Sequence, residues 1–344
     1  MGRDQGREAV SEQLLGDVTD HRITSIVADR LTAGSRPGAR TDGYRVALAI
    51  EGGGMRGSVS AGMALAIHEL GLLDAFDAVY GASAGALAAA WLLSSRPQGL
   101  LGCLDPRFMR ACIRKTNLLR GRPMVDIERL IEEIYIREYP LDYASVLRTP
   151  IELHLLATDI DTGEPVDLYN KTTDINALRL ALRASTALPV LAGRPVALGD
   201  RRYFDAGLAE SVPFRQALKD GATHVLVLRS KALYDGGPET PLTPTLSARF
   251  VARVALRRYT PQLKAAYLGR RERMADDDRL LAAYDRAHAE LGQSAVLSIR
   301  PDPAVPPVSR LSTDYTLVGE AFEFGRRAVN SWFGPADSSD LLAA

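Results

Sequence analysis

An α/β fold, with a mainly parallel sheet covered by helices on both faces, is predicted by two features of this chain. The first is a series of short, largely apolar runs at Val46–Ile50, residues 78–80, residues 151–158, His224–Leu228 and Ala295–Ile299. The second is that helical patterns stand between several of them, at residues 57–70, 86–93 and 175–184. Strands that alternate with helices pair in parallel, and a strand buried on both faces needs no polar alternation.

The remaining elements follow in order. Residues 1–43 are polar and read as a short helix around residues 23–31, then a linker through Ala33-Gly34-Ser35-Arg36-Pro37-Gly38. Residues 44–300 read as the main domain. Within it, residues 100–147 are expected to be mostly helical, because Ile127, Leu130, Ile131 and Ile134 recur at helix spacing. Residues 165–169 are expected to pair beside the strand at 151–158. Asp159 and Asp161, close to Gly163, read as a strand-end turn. Residues 244–290 read as a long helical region, basic through Arg249, Arg253, Arg257, Arg258, Lys264, Arg270, Arg271 and Arg273. Leu246, Phe250, Val254 and Tyr259 fall along one side of it. The expectation is a helix packed on the core with a solvated basic side; a helix lying on an anionic membrane surface is the other reading. Residues 301–344 read as a C-terminal extension, with 337–344 a disordered tail.

The chain has 344 residues, 46% hydrophobic and 24% charged, with a formal net charge of zero. That balance does not point to nucleic acid as a partner. Two cysteines, Cys103 and Cys112, exclude a disulfide framework and read as reduced core thiols. The first residues carry no apolar core of a signal peptide, and Gly6 fails the myristoylation pattern. Residues 78–95 are uncharged and near membrane-spanning length, but Gly81 and Gly85 interrupt them, so a buried strand and helix are expected. A cytoplasmic protein is expected, with peripheral membrane contact as the other reading. Oligomeric state is not legible.

Three motifs carry chemistry. Gly81-Ala82-Ser83-Ala84-Gly85 is a G-x-S-x-G between a strand and a helix, the pattern of a nucleophile elbow. Such a turn strains the backbone at Ser83 and needs small neighbours where strand and helix cross. Its hydroxyl lies near a helix N-terminus, which favours developing negative charge. Gly52-Gly53-Gly54-Met55-Arg56-Gly57 stands between the first strand and its helix. Consecutive glycines let backbone N–H groups form a nest for an oxyanion, and Arg56 adds positive charge. The run also satisfies G-x-G-x-x-G, but a dinucleotide site needs an acidic residue ending the second strand. Here Asp74 and Asp77 precede that strand, which runs into Ser83 instead. Asp205-Ala206-Gly207 follows a short strand around residues 202–204; alone it reads as a turn. The five histidines, His21, His68, His154, His224 and His288, occupy no recognisable loop motif, and no His/Cys/Asp cluster has metal spacing.

Taken in order, the glycine loop, the G-x-S-x-G and the Asp-x-Gly resemble the patatin-like phospholipase family. Ala184-Ser185-Thr186-Ala187-Leu188-Pro189 resembles its Ala-Ser-x-x-x-Pro segment, and the similarity runs from about Tyr44 to about Leu228. Ala206 stands where the family has glycine, and Val212-Pro213 where it often has Asn-Pro. The resemblance implies a three-layer α/β/α sandwich. It further implies a Ser83–Asp205 dyad without histidine, hydrolysing lipid acyl esters with no metal and no cofactor. Gly53 and Gly54 would then supply the oxyanion hole, with Gly52 and Gly57 shaping the loop and Arg56 and the Ala84 N–H assisting. Ala206 and Gly207 would form the turn that carries the aspartate. From their apolar faces, the helices of 100–147 and 244–290 are expected to form the lip of an acyl groove. A Ser-His-Asp α/β-hydrolase, a catalytically silent lipid-binding protein on the same fold, and a transacylase are the alternatives.

Overall fold

The computed structural model describes residues 21–114, 116–117, 122–232, 243–287 and 294–334. His288 and the expected tail at 337–344 lie outside the described residues. The predicted sheet is present. Strands β1 (Val46–Ile50), β2 (Ala78–Ala82), β3 (Glu152–Asp159), β4 (Pro165–Asp167), β5 (Val196–Leu198), β6 (Arg201–Asp205), β7 (His224–Leu228) and β8 (Ala295–Ile299) form one eight-stranded sheet. Its order is β5-β6-β3-β2-β1-β7-β8, with β4 also paired to β3. The strands β3, β2, β1, β7 and β8 run parallel, and β4, β5 and β6 are antiparallel additions at one side. Every residue of β1, β2, β7 and β8 is buried, as continuous apolar runs require when helices cover both faces.

The register of the central strands sets the site. Ala82, the last residue of β2, lies opposite Leu156 of β3, and Ala157 lies opposite Asp205 of β6. Ser83 and Asp205 therefore leave the sheet at one height, two strand spacings apart. At about 4.8 Å per spacing, the backbones stand roughly 10 Å apart, a gap that two short side chains span only by pointing at each other.

Helices α1 (Arg22–Thr32), α2 (Ser58–Glu69) and α3 (Ala84–Leu93) pack into the largest apolar cluster. The segment expected as a linker is strapped to the body. The Arg30 guanidinium, 2% exposed, donates to Asp42, to Asp77 and to the Ala75 carbonyl, and Arg40 Nε donates to Asp77. The described residues of 97–148 form short pieces rather than long helices. They comprise a 3₁₀ stretch at Pro97–Leu104, α4 (Pro106–Cys112), a turn at Ile127–Arg129 widening into π-type winding at Leu130–Glu138, and α5 (Tyr143–Arg148). Asp105 and Asp142 cap two of these, accepting from Arg107 N and Ser145 N. Helices α6 (Ile175–Thr186) and α7 (Phe214–Lys219) follow. The basic region divides into α8 (Leu246–Val254) and α9 (Pro261–Ala287). Pro261 starts the second because its missing N–H is tolerated only in a first turn, and Thr260 Oγ1 accepts from Leu263 N there. Among the described residues no helix is long and apolar enough to cross a membrane.

The expected C-terminal extension contains a helix that the sequence reading did not identify, α10 (Tyr315–Phe333). It lies directly on α2. A Cβ on Gly62 would overlap the Phe322 carbonyl, and one on Gly325 would overlap the Val59 carbonyl. The two backbones touch through this reciprocal glycine pair, which leaves α2 buried from Ser58 to Ile67. Gly62→Ala and Gly325→Ala should each destabilise the fold by about 1–3 kcal/mol, the usual cost of overpacking a close contact. Urea unfolding of the two variants checks this.

Candidate active site

Ser83 has φ 55° and ψ −124°. This is strained backbone for a residue with a Cβ. Packing holds it there. A Cβ on Gly81 would fall 2.5 Å from Ala86 Cα and 2.8 Å from the Gly85 carbonyl, and one on Gly85 would overlap the Ile50 carbonyl. The strand and α3 thus cross at a distance only glycine allows. The Ser83 N–H donates to the buried Ser185 Oγ at 3.1 Å.

The Ser83 hydroxyl donates to Asp205 Oδ2 at 2.7 Å. The other oxygen, Oδ1, accepts the Gly207 N–H at 2.7 Å. The aspartate backbone is tied on both sides, its N–H donating to the Ala187 carbonyl and its carbonyl accepting from Thr158 Oγ1. Ala206 keeps a negative φ, so the departure from glycine strains nothing in this turn. Asp205 is 4% exposed. Burial pushes its pKa above the ordinary carboxylate range, against the opposing pull of the Ser83 hydroxyl, the Gly207 N–H, and the Arg310 and Arg270 charges.

The glycine loop is anchored from below. Gly52 N donates to the Ser211 carbonyl at 3.3 Å, and the Gly52 carbonyl accepts from Ser230 Oγ at 3.1 Å. In a trans peptide the C=O and the next N–H point in opposite directions. Holding the Gly52 carbonyl on Ser230 therefore turns the Gly53 N–H away from Ser230. Gly53 and Gly54 line the cavity, at the start of a 3₁₀ turn spanning Gly54–Gly57. The first N–H groups of such a turn have no acceptor inside it. Gly52 packs 2.8 Å from Ser83 Cβ and Gly57 2.8 Å from Ala84 Cβ, measured from the Cβ each lacks, so both are spacers against the elbow. Arg56 Nε donates to Ser230 Oγ at 3.3 Å. Beneath the loop lies a buried ion pair. Glu51 Oε2 accepts from Arg229 Nε at 2.9 Å and from the Ser230 N–H at 2.7 Å. Burial works to raise the Glu51 pKa, but the charges of Arg229, Lys231 and Arg56 reverse this and bring it to about 2.

A cavity of about 180 Å³ opens from Ser83 and Asp205. Its far walls are apolar, with Leu87, Trp91, Phe108, Met109, Leu130 and Tyr135 among them. Most of this wall comes from residues 97–139, and most of these side chains are buried; α9 contributes Arg270 and Met274. Cys103 and Cys112 also line it as free thiols, and burial pushes both up to about 12. Arg56, Arg270 and Arg310 supply its guanidinium groups. None of the described histidines (His21, His68, His154 and His224) lines the cavity.

Sequence reasoning missed Ser211, Ser230, Arg270 and Arg310 as site residues, and quoted Ser185 without a role. Ser230 carries one legible signal, its place just after a buried strand parallel to the one that feeds the glycine loop. Arg310 carries none. The fold also makes a group that spacing did not reveal. Among the described residues, ligand atoms of His154, Asp167 and Asp220 lie within 4.8 Å of one another. They are engaged already, His154 Nδ1 with Asp167 Oδ2 at 2.6 Å and Asp220 with Tyr80 and Gln216, and they lie outside the cavity.

Residues 48–218 match the family model described as patatin-like phospholipase. The chain is similar to the uncharacterized protein YjjU of Escherichia coli K12, with 26% identity over 202 residues, covering 54% of this chain and 52% of that protein. It is also similar to two uncharacterized NTE family proteins, Mb1092c of Mycobacterium bovis and Rv1063c of Mycobacterium tuberculosis. Each is 26% identical over 221 residues, covering 61% of this chain and 55% of the relative. The chain thus spans about half the length of the curated relatives it matches. The glycine loop, the elbow and Asp205 all fall within the matched residues, and through them the chain belongs to the patatin-like phospholipase family.

Proposed function

We propose that the protein is a lipid acyl hydrolase that works through an acyl-serine at Ser83, with Asp205 as the base. The observation that carries this reading is the 2.7 Å hydrogen bond from the Ser83 hydroxyl to Asp205 at the head of an apolar cavity. Ser83 Oγ attacks the ester carbonyl while its proton passes to Asp205. The tetrahedral oxyanion is held by the Gly53 and Gly54 N–H groups, with Arg56 beside them. Collapse expels the alcohol, which takes the proton back from Asp205. Water, deprotonated by Asp205, then adds to the acyl-serine, and its collapse returns the proton to Ser83.

An ordinary aspartate, with a pKa of about 3.9, is a weak base at neutral pH. Burial raises Asp205 toward a more useful value. The oxyanion loop still carries much of the rate, since one such donor is typically worth about 2.7–4 kcal/mol. The apolar walls suit an acyl chain. The guanidinium groups of Arg56, Arg270 and Arg310 suit a phosphate near the ester, so phospholipids and lysophospholipids are the proposed substrates.

Ser83→Ala should lose fluorophosphonate labelling and lower ester turnover by roughly 10⁴–10⁶-fold in a folded protein. Persisting turnover would exclude the elbow, and a folded, unlabelled wild type would favour a silent lipid-binding protein. Asp205→Asn should cost about 10²–10⁴-fold, whereas His224→Ala should not; the reverse would favour a histidine triad. Arg310→Gln should lower the kcat/KM ratio of a lysophospholipid over a monoacylglycerol of equal chain length by about tenfold, the worth of a charge-assisted hydrogen bond.

The raised Asp205 pKa also has a consequence for stability. A group that binds its proton more tightly when folded stabilises fully below its unfolded pKa, and that contribution is lost as pH rises through the folded pKa. Turnover, which needs the carboxylate, should fall in acid with a midpoint above the usual aspartate value. Asp205→Asn should therefore unfold at a higher temperature than the wild type at about pH 7, with the gap closing near pH 4. Thermal unfolding across that range checks the sign.

A further inference from the structure

Helix α8 is not turned as its apolar stripe suggests. Leu246, Phe250 and Val254 share one face of the helix and are 85%, 66% and 48% exposed. The buried side is instead Ala252, with Ala248 and Val251 packed beside it and Leu256 just beyond the helix. A row of large apolar side chains left in water is unusual on a globular surface and marks a place of contact. Arg249, Arg253, Arg257 and Arg258 are exposed around it. No aspartate or glutamate stands between Pro241 and Arg271, so the segment holds no counter-ion of its own.

The position of this face matters. The core side of α8 packs with Ile160 and Phe204. Ile160 directly follows the end of β3, and Phe204 precedes Asp205. Since β2 and β3 are parallel, Ser83 and Ile160 leave the sheet at the same edge. Tyr267 of α9 belongs to the same cluster, and the guanidinium of Arg270 lies 4.4 Å from its ring centroid, at the cavity. The apolar row and the cavity thus stand on one end of the molecule.

We infer that α8 docks the protein on an anionic lipid bilayer, with Leu246, Phe250 and Val254 entering the acyl boundary and the arginines meeting anionic headgroups. Apolar insertion with flanking positive charge is the combination such a surface rewards. This goes beyond the hydrolase reading, because docking requires no turnover.

The test is flotation of the full chain, as wild type and as Ser83→Ala, with vesicles of phosphatidylcholine alone or with about one third phosphatidylglycerol. Both proteins should float with the anionic vesicles, and less so as salt rises. The double variant Leu246→Glu, Phe250→Glu should partition at least about tenfold more weakly. Ile175→Glu, an equally drastic change at the opposite end of α6 from Thr186, should partition as the wild type does. Docking without turnover of any ester would leave this inference standing and remove the hydrolase reading. Equal flotation with both vesicle types, or a double variant that floats like the wild type, would overturn the docking. So would a solution dimer that the double variant splits while vesicles are ignored, since the face would then join two copies of the chain.

Discussion

The closest constraint in this protein is the crossing of β2 and α3 at Ser83. This turn keeps its serine in a backbone conformation it would not choose, at φ 55°. The strain is held by neighbours that cannot yield: the Ile50 carbonyl against Gly85, and Ala86 against Gly81. Because β1 and β2 are paired through Ile50 and Gly81, the glycine loop that follows β1 is brought beside the elbow by the same crossing. The position of the hydroxyl and that of the glycine loop lining the same cavity are therefore set by one piece of packing.

Asp205 reaches that serine from β6, which runs antiparallel to β3. The aspartate's burial has two opposed effects. It destabilises the ionised group and so costs the fold something at neutral pH, while it makes the carboxylate a stronger proton acceptor, as the proposed chemistry would require. The buried Glu51–Arg229 pair is the counterpart on the other side. There a carboxylate is kept ionised by neighbouring charge, and through Ser230 it fixes the orientation of the glycine loop.

The motif segments were legible because each is a local solution to a local problem. A strand followed immediately by glycine, serine, glycine and a helix has few backbone arrangements open to it, and the same holds for three glycines after a buried strand. The main strands were legible for a similar reason, since continuous apolar runs fit strands covered on both faces. The helix of the C-terminal segment was not, because Gly62 and Gly325 matter only to each other, 263 positions apart. The side of α8 that meets the core was not legible either. Of the row Leu246, Phe250, Val254 and Tyr259, only Tyr259 packs on the core, against Phe204, and the space beside Ile160 and Phe204 takes the smaller side chains of Ala248 and Ala252.

What the chain alone determined is the main strands with the helices between them, the strand–turn–helix at Ser83 and the glycine loop, because steric rules within a few residues govern each of these; Asp205 stood out only through its place in the family's order of motifs. The tertiary structure alone decided that Asp205 faces Ser83, that Ser230 orients the loop, and that Arg270 and Arg310 stand at the cavity. These depend on strand register and on segments far apart in the chain, whose meeting is settled by how the whole core closes.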